Sequence, residues 1–205
     1  TRNFAAITDP NKVGEFLRAI DDIPNTTLVV KSAFKLAPLF FVRIGELRKA
    51  KWSEIDFDKQ EWRYFITKTK QDHIVPLSKQ AIEILKELQC LTGQHEHIFV
   101  GYRNNKIPMS DGAINAAIRR LGYDTQEEIT GHGFRAMART ILNEEMGIPV
   151  SVIEHQLAHK VADNLGTAYN RTKFIAQRKK MMQQWADYLD SLKQNVIPFP
   201  KHKTA

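Results

Sequence analysis

The chain has 205 residues, 42% of them hydrophobic, which is enough to bury a sizeable core and makes one domain the default. Thirty basic side chains against 23 acidic ones leave a formal net charge of +7, favouring a polyanionic partner without choosing between nucleic acid and an anionic membrane surface. Cys90 is the single cysteine, so an intrachain disulfide is excluded, and no apolar run approaches the roughly 20 residues of a bilayer span.

Asp9-Pro10 opens a helix through Val13, Leu17 and Ile20, which the stretch Asp22 to Thr27 with Pro24 breaks. Residues 28–41 form a second helix, apolar on most sides and so expected to be buried, with Pro38 kinking or shortening it. Arg43 to Lys51 reads as a charged helical turn at the edge of the core. Residues 62–66 and 73–77, rich in β-branched and aromatic types, form a hairpin around the polar stretch Thr67 to Asp72, and Ser53 to Phe57 supplies a candidate third strand.

Ser78 caps a helix with apolar positions Ile82, Leu85 and Leu88, stopped at Gly93. The remainder is predominantly helical, with candidate segments 111–121 after a Ser110 cap, 134–146 ending at Gly147, 149–157 and 171–194. The tail from Pro198 lacks any periodic pattern and is expected to be disordered. The start, Thr1 to Pro10, has no signal-peptide character, and a chain that begins with Thr rather than Met suggests a piece of a longer protein.

Several residue types suggest chemistry. His132 and Arg135 are three apart, one helical turn, so both project from one face near a helix start, where backbone N–H groups and a guanidinium fork suit phosphate oxygens. Taken alone, such a pair equally serves as a cap or a surface ion pair. His155 and His159 have the i, i+4 spacing of a zinc metalloprotease helix, but Gln156 stands where that signature needs a glutamate base and no third ligand is evident. His95 and His97 fall in a loop and read as solvated rather than metal-bound.

Gly45, within Arg43-Ile-Gly-Glu46, allows close backbone approach, and Glu46 either orients a guanidinium or forms an ordinary surface ion pair. Lys68 at the hairpin tip is either a mobile charge that reaches a groove or a wet surface lysine. Tyr169 is, by itself, as good a half-buried core aromatic as a nucleophile.

Arg43 in Arg-x-Gly-Glu-Leu, Lys68 before Val75-Pro76-Leu77, His132-x-x-Arg135, Leu157-Ala158-His159 and Tyr169, in that order, resemble the tyrosine recombinase signature. Trp52-Ser-Glu-Ile-Asp56, His73-Ile-Val-Pro-Leu-Ser78, Ile153 to His159 and Ala168-Tyr-Asn-Arg171 resemble the P4-like branch of prophage integrases. The likeness covers roughly residues 5 to 192. Ala158 stands where many relatives have glycine. Lys70 competes with Lys68, which is preferred because it lies seven residues before Val75.

The resemblance implies a mainly α catalytic domain with a small antiparallel β-sheet (α+β) over residues 1–195, followed by a tail at 196–205. It implies site-specific DNA cleavage and rejoining through a 3′-phosphotyrosyl link, without cofactor, metal or ATP. It assigns Tyr169 as nucleophile, with Arg43 and Arg135 clamping the phosphate oxygens and His159 as a further donor. His132 would be the base, Lys68 the leaving-group acid, and Glu46 would hold Arg43.

The implied partners are double-stranded DNA attachment sites, a homotetramer in the full-length protein and accessory DNA-bending proteins, in the bacterial cytoplasm near the nucleoid and not at a membrane. Relatives usually carry N-terminal core-binding and arm-binding domains, and neither is recognisable in this sequence. The stretch 160–168 is expected to carry Tyr169 into and out of the site. The basic, amphipathic segment 171–192 would dock either on a neighbouring protomer or on its own domain. A type IB topoisomerase and an inactive DNA-binding module are the rival readings.

Overall fold

The computed structural model describes residues 4–159 and 174–194. Asp9 caps α1 (Pro10–Asp21) by accepting from the Lys12 N–H at 3.0 Å, and Thr27 caps α2 (Leu28–Phe40) by accepting from Val30 at 3.3 Å. Pro38 lies inside α2 without ending it there. The stop comes at Phe41, whose left-handed backbone (φ 38°) closes the C-terminus. Chain direction changes at once, and Arg43 opens the single turn α3 (Ile44–Leu47).

A 3₁₀ turn over Trp52–Glu54 leads into an antiparallel sheet of β1 (Ile55–Asp56), β2 (Glu61–Ile66) and β3 (Gln71–Pro76), in that spatial order. The third strand is therefore shorter than the Ser53 to Phe57 expectation. Trp62, Tyr64 and Ile66 point to the core while Arg63 and Phe65 point out, the alternation of a half-buried strand. The register pairs Trp62 with Val75 and Tyr64 with His73, and the turn 67–70 closes between Ile66 and Gln71 with Lys70 in the left-handed region (φ 51°).

Five helices follow: α4 (Lys79–Thr92), capped by Ser78, α5 (Ala113–Arg120), α6 (Gly133–Glu144), α7 (Val150–Gln156) and α8 (Ile175–Gln194). Helix α5 starts after Gly112 with no side-chain cap, because Ser110 accepts from Ala113 through its carbonyl rather than its hydroxyl.

Helix α2 is central, packed against α1, α4, α5, α6 and α8, which explains why it is apolar nearly all round. Phe16, Phe34 and Phe134 pack in its aromatic layer at 5.9 to 6.3 Å between ring centroids, Phe34 edge-on to the other two. Helix α8 returns to the same core. The Trp185 indole is fully buried and donates to the Pro38 carbonyl at 2.8 Å, and Arg18 donates to the Leu192 and Lys193 carbonyls at 3.3 and 3.0 Å. Gly14 permits this approach, since a Cβ there would lie 2.4 Å from the Leu192 carbonyl oxygen. The C-terminal helix thus docks on its own domain over its described length. The tail after Gln194 lies outside the described residues.

Candidate active site

The end of α2 delivers Arg43 to the rim of a cleft of about 260 Å³, lined also by Glu46, Tyr64, Phe65 and Lys68. Arg43 Nη1 meets Glu46 Oε1 at 3.0 Å, and the Tyr64 hydroxyl donates to Glu46 Oε2 at 2.8 Å. Burial first, and then Glu46, push the Tyr64 phenol well above its ordinary pKa, so it stays a donor. Glu46 therefore orients the guanidinium instead of forming a loose surface pair. Gly45 does not have the expected purpose, for a Cβ there would meet nothing within 4 Å and its φ is not left-handed.

Arg135 is 5% exposed on the inner face of α6. It donates to the Phe41 carbonyl from Nη1 at 3.1 Å and to the Leu157 carbonyl from Nη2 at 2.8 Å. Nη2 also lies 3.0 Å from His159 Nε2. No carboxylate bonds to it among the described residues. Burial, and then repulsion from Arg43, lower its pKa to about 10, which still leaves it cationic at neutral pH.

A guanidinium has no acceptor, so the His159 Nε2 facing it must carry the lone pair, and the proton sits on Nδ1, which donates to Glu154. Glu154 also accepts from Arg139 Nε at 2.6 Å. Burial opposes its charge, but the bonds to Arg139 and His159 outweigh that and hold the carboxyl below its usual range.

Helix α7 ends at Gln156. Leu157 is its C-cap and Ala158 turns left-handed (φ 52°), so His159 leaves the helix axis and does not share a face with His155. His155 is buried, with Nδ1 2.7 Å from the Ser151 carbonyl and its ring against Phe174. The i, i+4 histidine pair is thus split between two different environments.

His132 occupies the cap position of α6, half-buried. Burial first, and then the charges of Arg135, Arg43, His159 and Lys68, lower its pKa, so the imidazole is neutral at pH 7. The helix start is less open to an anion than expected. The Gly133 N–H already donates to Thr130 and the Arg135 N–H to the His132 carbonyl. Lys68 is exposed in the β2–β3 turn and lines the cleft with Arg43. Five of the residues singled out in the sequence, Arg43, Lys68, His132, Arg135 and His159, therefore converge, with Glu46 behind the first. Tyr169, the stretch 160–168 and residues 171–173 lie outside the described residues.

Sequence reasoning missed a second polar layer behind the cleft. Arg178 was counted in a basic run, yet it is 1% exposed. It donates to Gln156 Oε1 at 3.0 Å from Nε and 2.8 Å from Nη2, and to the Ile74 carbonyl. The Gln156 carbonyl in turn bonds His73 Nε2 at 3.0 Å. Gln156, which lacks the basicity a zinc hydrolase needs, is instead the junction of α7, α8 and β3. Tyr64 and Glu154 were also missed. The only local signal was the inward phase of Tyr64 in its strand.

The architecture is that of an integrase catalytic core: the solved catalytic core of lambda integrase superposes with a TM-score of 0.57 at 21% identity, covering 79% of this chain and 95% of that one. A lambda integrase tetramer bound to a Holliday junction matches with a TM-score of 0.60 at 19% identity over 81% of this chain and 51% of that one. The chain belongs to the phage integrase family, whose model matches residues 7–174.

It is 41% identical over 185 residues to the integrase of Enterobacteria phage P4, across 83% of this chain and 42% of the relative. It is also 41% identical over 151 residues to the prophage integrase IntA of Escherichia coli K12, across 73% of this chain and 36% of that protein. The chain spans less than half the length of these two relatives.

Proposed function

We propose that residues 1–195 are the cleavage-and-joining domain of a prophage integrase, a site-specific tyrosine recombinase acting on double-stranded DNA attachment sites. The observation that carries this reading is the gathering of Arg43, Arg135, His159 and Lys68 around His132, with Arg43 and Lys68 lining one cleft and the nearby carboxylates, Glu46 and Glu154, already engaged. Such a cleft is short of negative charge, and a phosphodiester supplies it. The transition state of phosphoryl transfer gathers further charge on the non-bridging oxygens, which preset cations stabilise without reorganising.

Arg43 and Arg135 clamp those oxygens. An arriving phosphate replaces the His159 lone pair as the partner of Arg135, and His159 donates to it from Nε2 after taking up a proton there from solvent, while its Nδ1–H stays on Glu154. The Tyr169 oxygen attacks phosphorus, its proton passing to neutral His132, while the bond to the 5′-oxygen breaks and Lys68 protonates that oxygen. The products are a 3′-phosphotyrosyl link and a free 5′-hydroxyl, and the reverse sequence rejoins strands with the bond energy conserved.

A homotetramer on two duplexes, accessory DNA-bending proteins and a cytoplasmic, nucleoid-associated setting follow from this reading. Lambda integrase, crystallised as a tetramer on a Holliday junction, supports the tetramer by its shared fold. Among the described residues no helix is long and apolar enough to cross a membrane.

The test is a nicked suicide duplex carrying an end of the element that encodes the chain, incubated with the protein and resolved under denaturing conditions. A covalent protein–DNA band is expected from the parent chain and none from Tyr169→Phe. A band that persists in Tyr169→Phe removes Tyr169 as nucleophile, and no band with either element end counts against cleavage by this domain.

A further inference from the structure

We propose that Phe4 is a positioning residue for His132, holding the imidazole at the cleft and shielding one of its faces from water, so that the segment preceding α1 is part of the cleavage site. This rests on the recombinase reading of the same cleft. Phe4 is 57% exposed, so burial in the core does not explain its place. Its ring centroid lies 4.3 Å from that of His132 with the planes inclined at 47°.

Among the described residues no hydrogen bond fixes the His132 ring, which makes no side-chain cap to its own helix either. Its orientation therefore depends on packing, and Phe4 supplies the aromatic contact. An imidazole that must accept a proton cannot also be tied by both nitrogens, and a tilted ring contact leaves both free.

The segment is seated by two further features. The Thr130 N–H donates to the Ala5 carbonyl at 3.1 Å. A Cβ on Gly133 would lie 2.2 Å from the Ala5 oxygen, so only glycine at that position lets the segment cross the start of α6. Among the described residues, the charged or titratable groups facing His132 are Arg135 on α6, Arg43 at the start of α3, His159 beyond α7 and Lys68 in the hairpin turn. All four are basic and favour its neutral form, and the Phe4 ring adds to that bias by excluding water.

The experiment compares Phe4→Ala and Phe4→Tyr with the parent in the full chain. Suicide-substrate cleavage is followed from pH 5.5 to 8.5, DNA affinity is measured separately, and the His132 ring is titrated by NMR. Phe4→Ala is expected to slow adduct formation at pH 7 about tenfold, less than the roughly 100-fold or more that loss of a positioned proton acceptor costs, with affinity unchanged. Its acid limb and its His132 titration both move to higher pH, toward the ordinary imidazole value. Phe4→Tyr keeps the ring contact and stays within about twofold of the parent.

Equal rates and an unmoved His132 titration in Phe4→Ala overturn the proposal. So does a loss of DNA affinity with an unchanged acid limb, which would make Phe4 a DNA contact. If the parent itself forms no adduct, the recombinase reading fails, while the NMR titration still decides whether Phe4 governs His132.

Discussion

Ala158 holds a left-handed backbone, φ 52°, where α7 releases the chain toward His159. The conformation costs an alanine about 1 kcal/mol relative to glycine. Yet the residue is only 6% exposed, and burial of its methyl returns about 0.8 kcal/mol. These contributions nearly cancel, so Ala158→Gly is expected to leave the melting temperature within about 2 °C of the parent. A β-branched side chain has no such compensation. Ala158→Val should lose about 2 kcal/mol, or roughly 4–8 °C in a thermal melt, and weaken adduct formation further by turning His159 away from Arg135. Equal melts for the two variants would show that the left-handed turn is not held in solution. The alanine was legible in the sequence as a departure from the glycine of many relatives. That it tolerates a positive φ beside a covered methyl was not, because a dihedral leaves no periodic trace.

Helix α7, strand β3 and helix α8 meet through His73, Gln156 and Arg178, three buried polar groups in mutual reach. Burial first, then the Arg178 charge, push the His73 pKa down to about 3, so the folded state holds it neutral while the unfolded chain titrates near 6.5. Stability from this group is complete above about pH 6.5 and falls as the pH drops toward 3, because the unfolded state binds the extra proton. At pH 5 the loss is about 2 kcal/mol, 1.5 units at 1.36 kcal/mol each. Denaturant titrations at pH 7.5 and 5 should record it, and His73→Gln, which keeps a donor for the Gln156 carbonyl without an ionisable ring, should flatten that limb. An unchanged pH dependence in the variant would place the acid sensitivity elsewhere. This junction was invisible in the sequence, since its bonds span 83 and 104 residues. The helices and the hairpin were legible because Asp9, Thr27 and Ser78 cap locally and Trp62, Tyr64 and Ile66 alternate locally. The amphipathic stripe of α8 announced a partner face without saying whose. Trp185 against Pro38 answers that within this chain, and Arg178, one residue of a basic segment in the sequence, is an internal tie.

At the scale of the molecule, a charge of +7 is not spread evenly in its effect. Lys59, Arg139, Lys179 and Lys193 each face a carboxylate within 3 Å, so their charge is largely spent inside the protein before any polyanion arrives. At the cleft, Arg43 shares Glu46 with the Tyr64 hydroxyl, Arg135 bonds to carbonyls, and Lys68 is exposed. One contiguous core joins α1 through α8, so these cations are presented by a rigid body and do not have to be gathered by the ligand. Counterion release then distinguishes cleft from periphery. DNA affinity should fall steeply with salt, with a logarithmic slope of about −0.9 for each phosphate engaged. Lys68→Met is expected to make that slope shallower by about one, which lessens the affinity lost between 50 and 200 mM salt by roughly three- to fourfold. Lys193→Met, on the far groove between α1 and α8 and paired to Asp21 and Asp190, should leave the slope alone. Equal slopes for both variants would mean that DNA binds by diffuse charge and that the cleft has no special claim on phosphate. A change confined to Lys68→Met ties the polyanion to the same few side chains on which the cleavage chemistry depends.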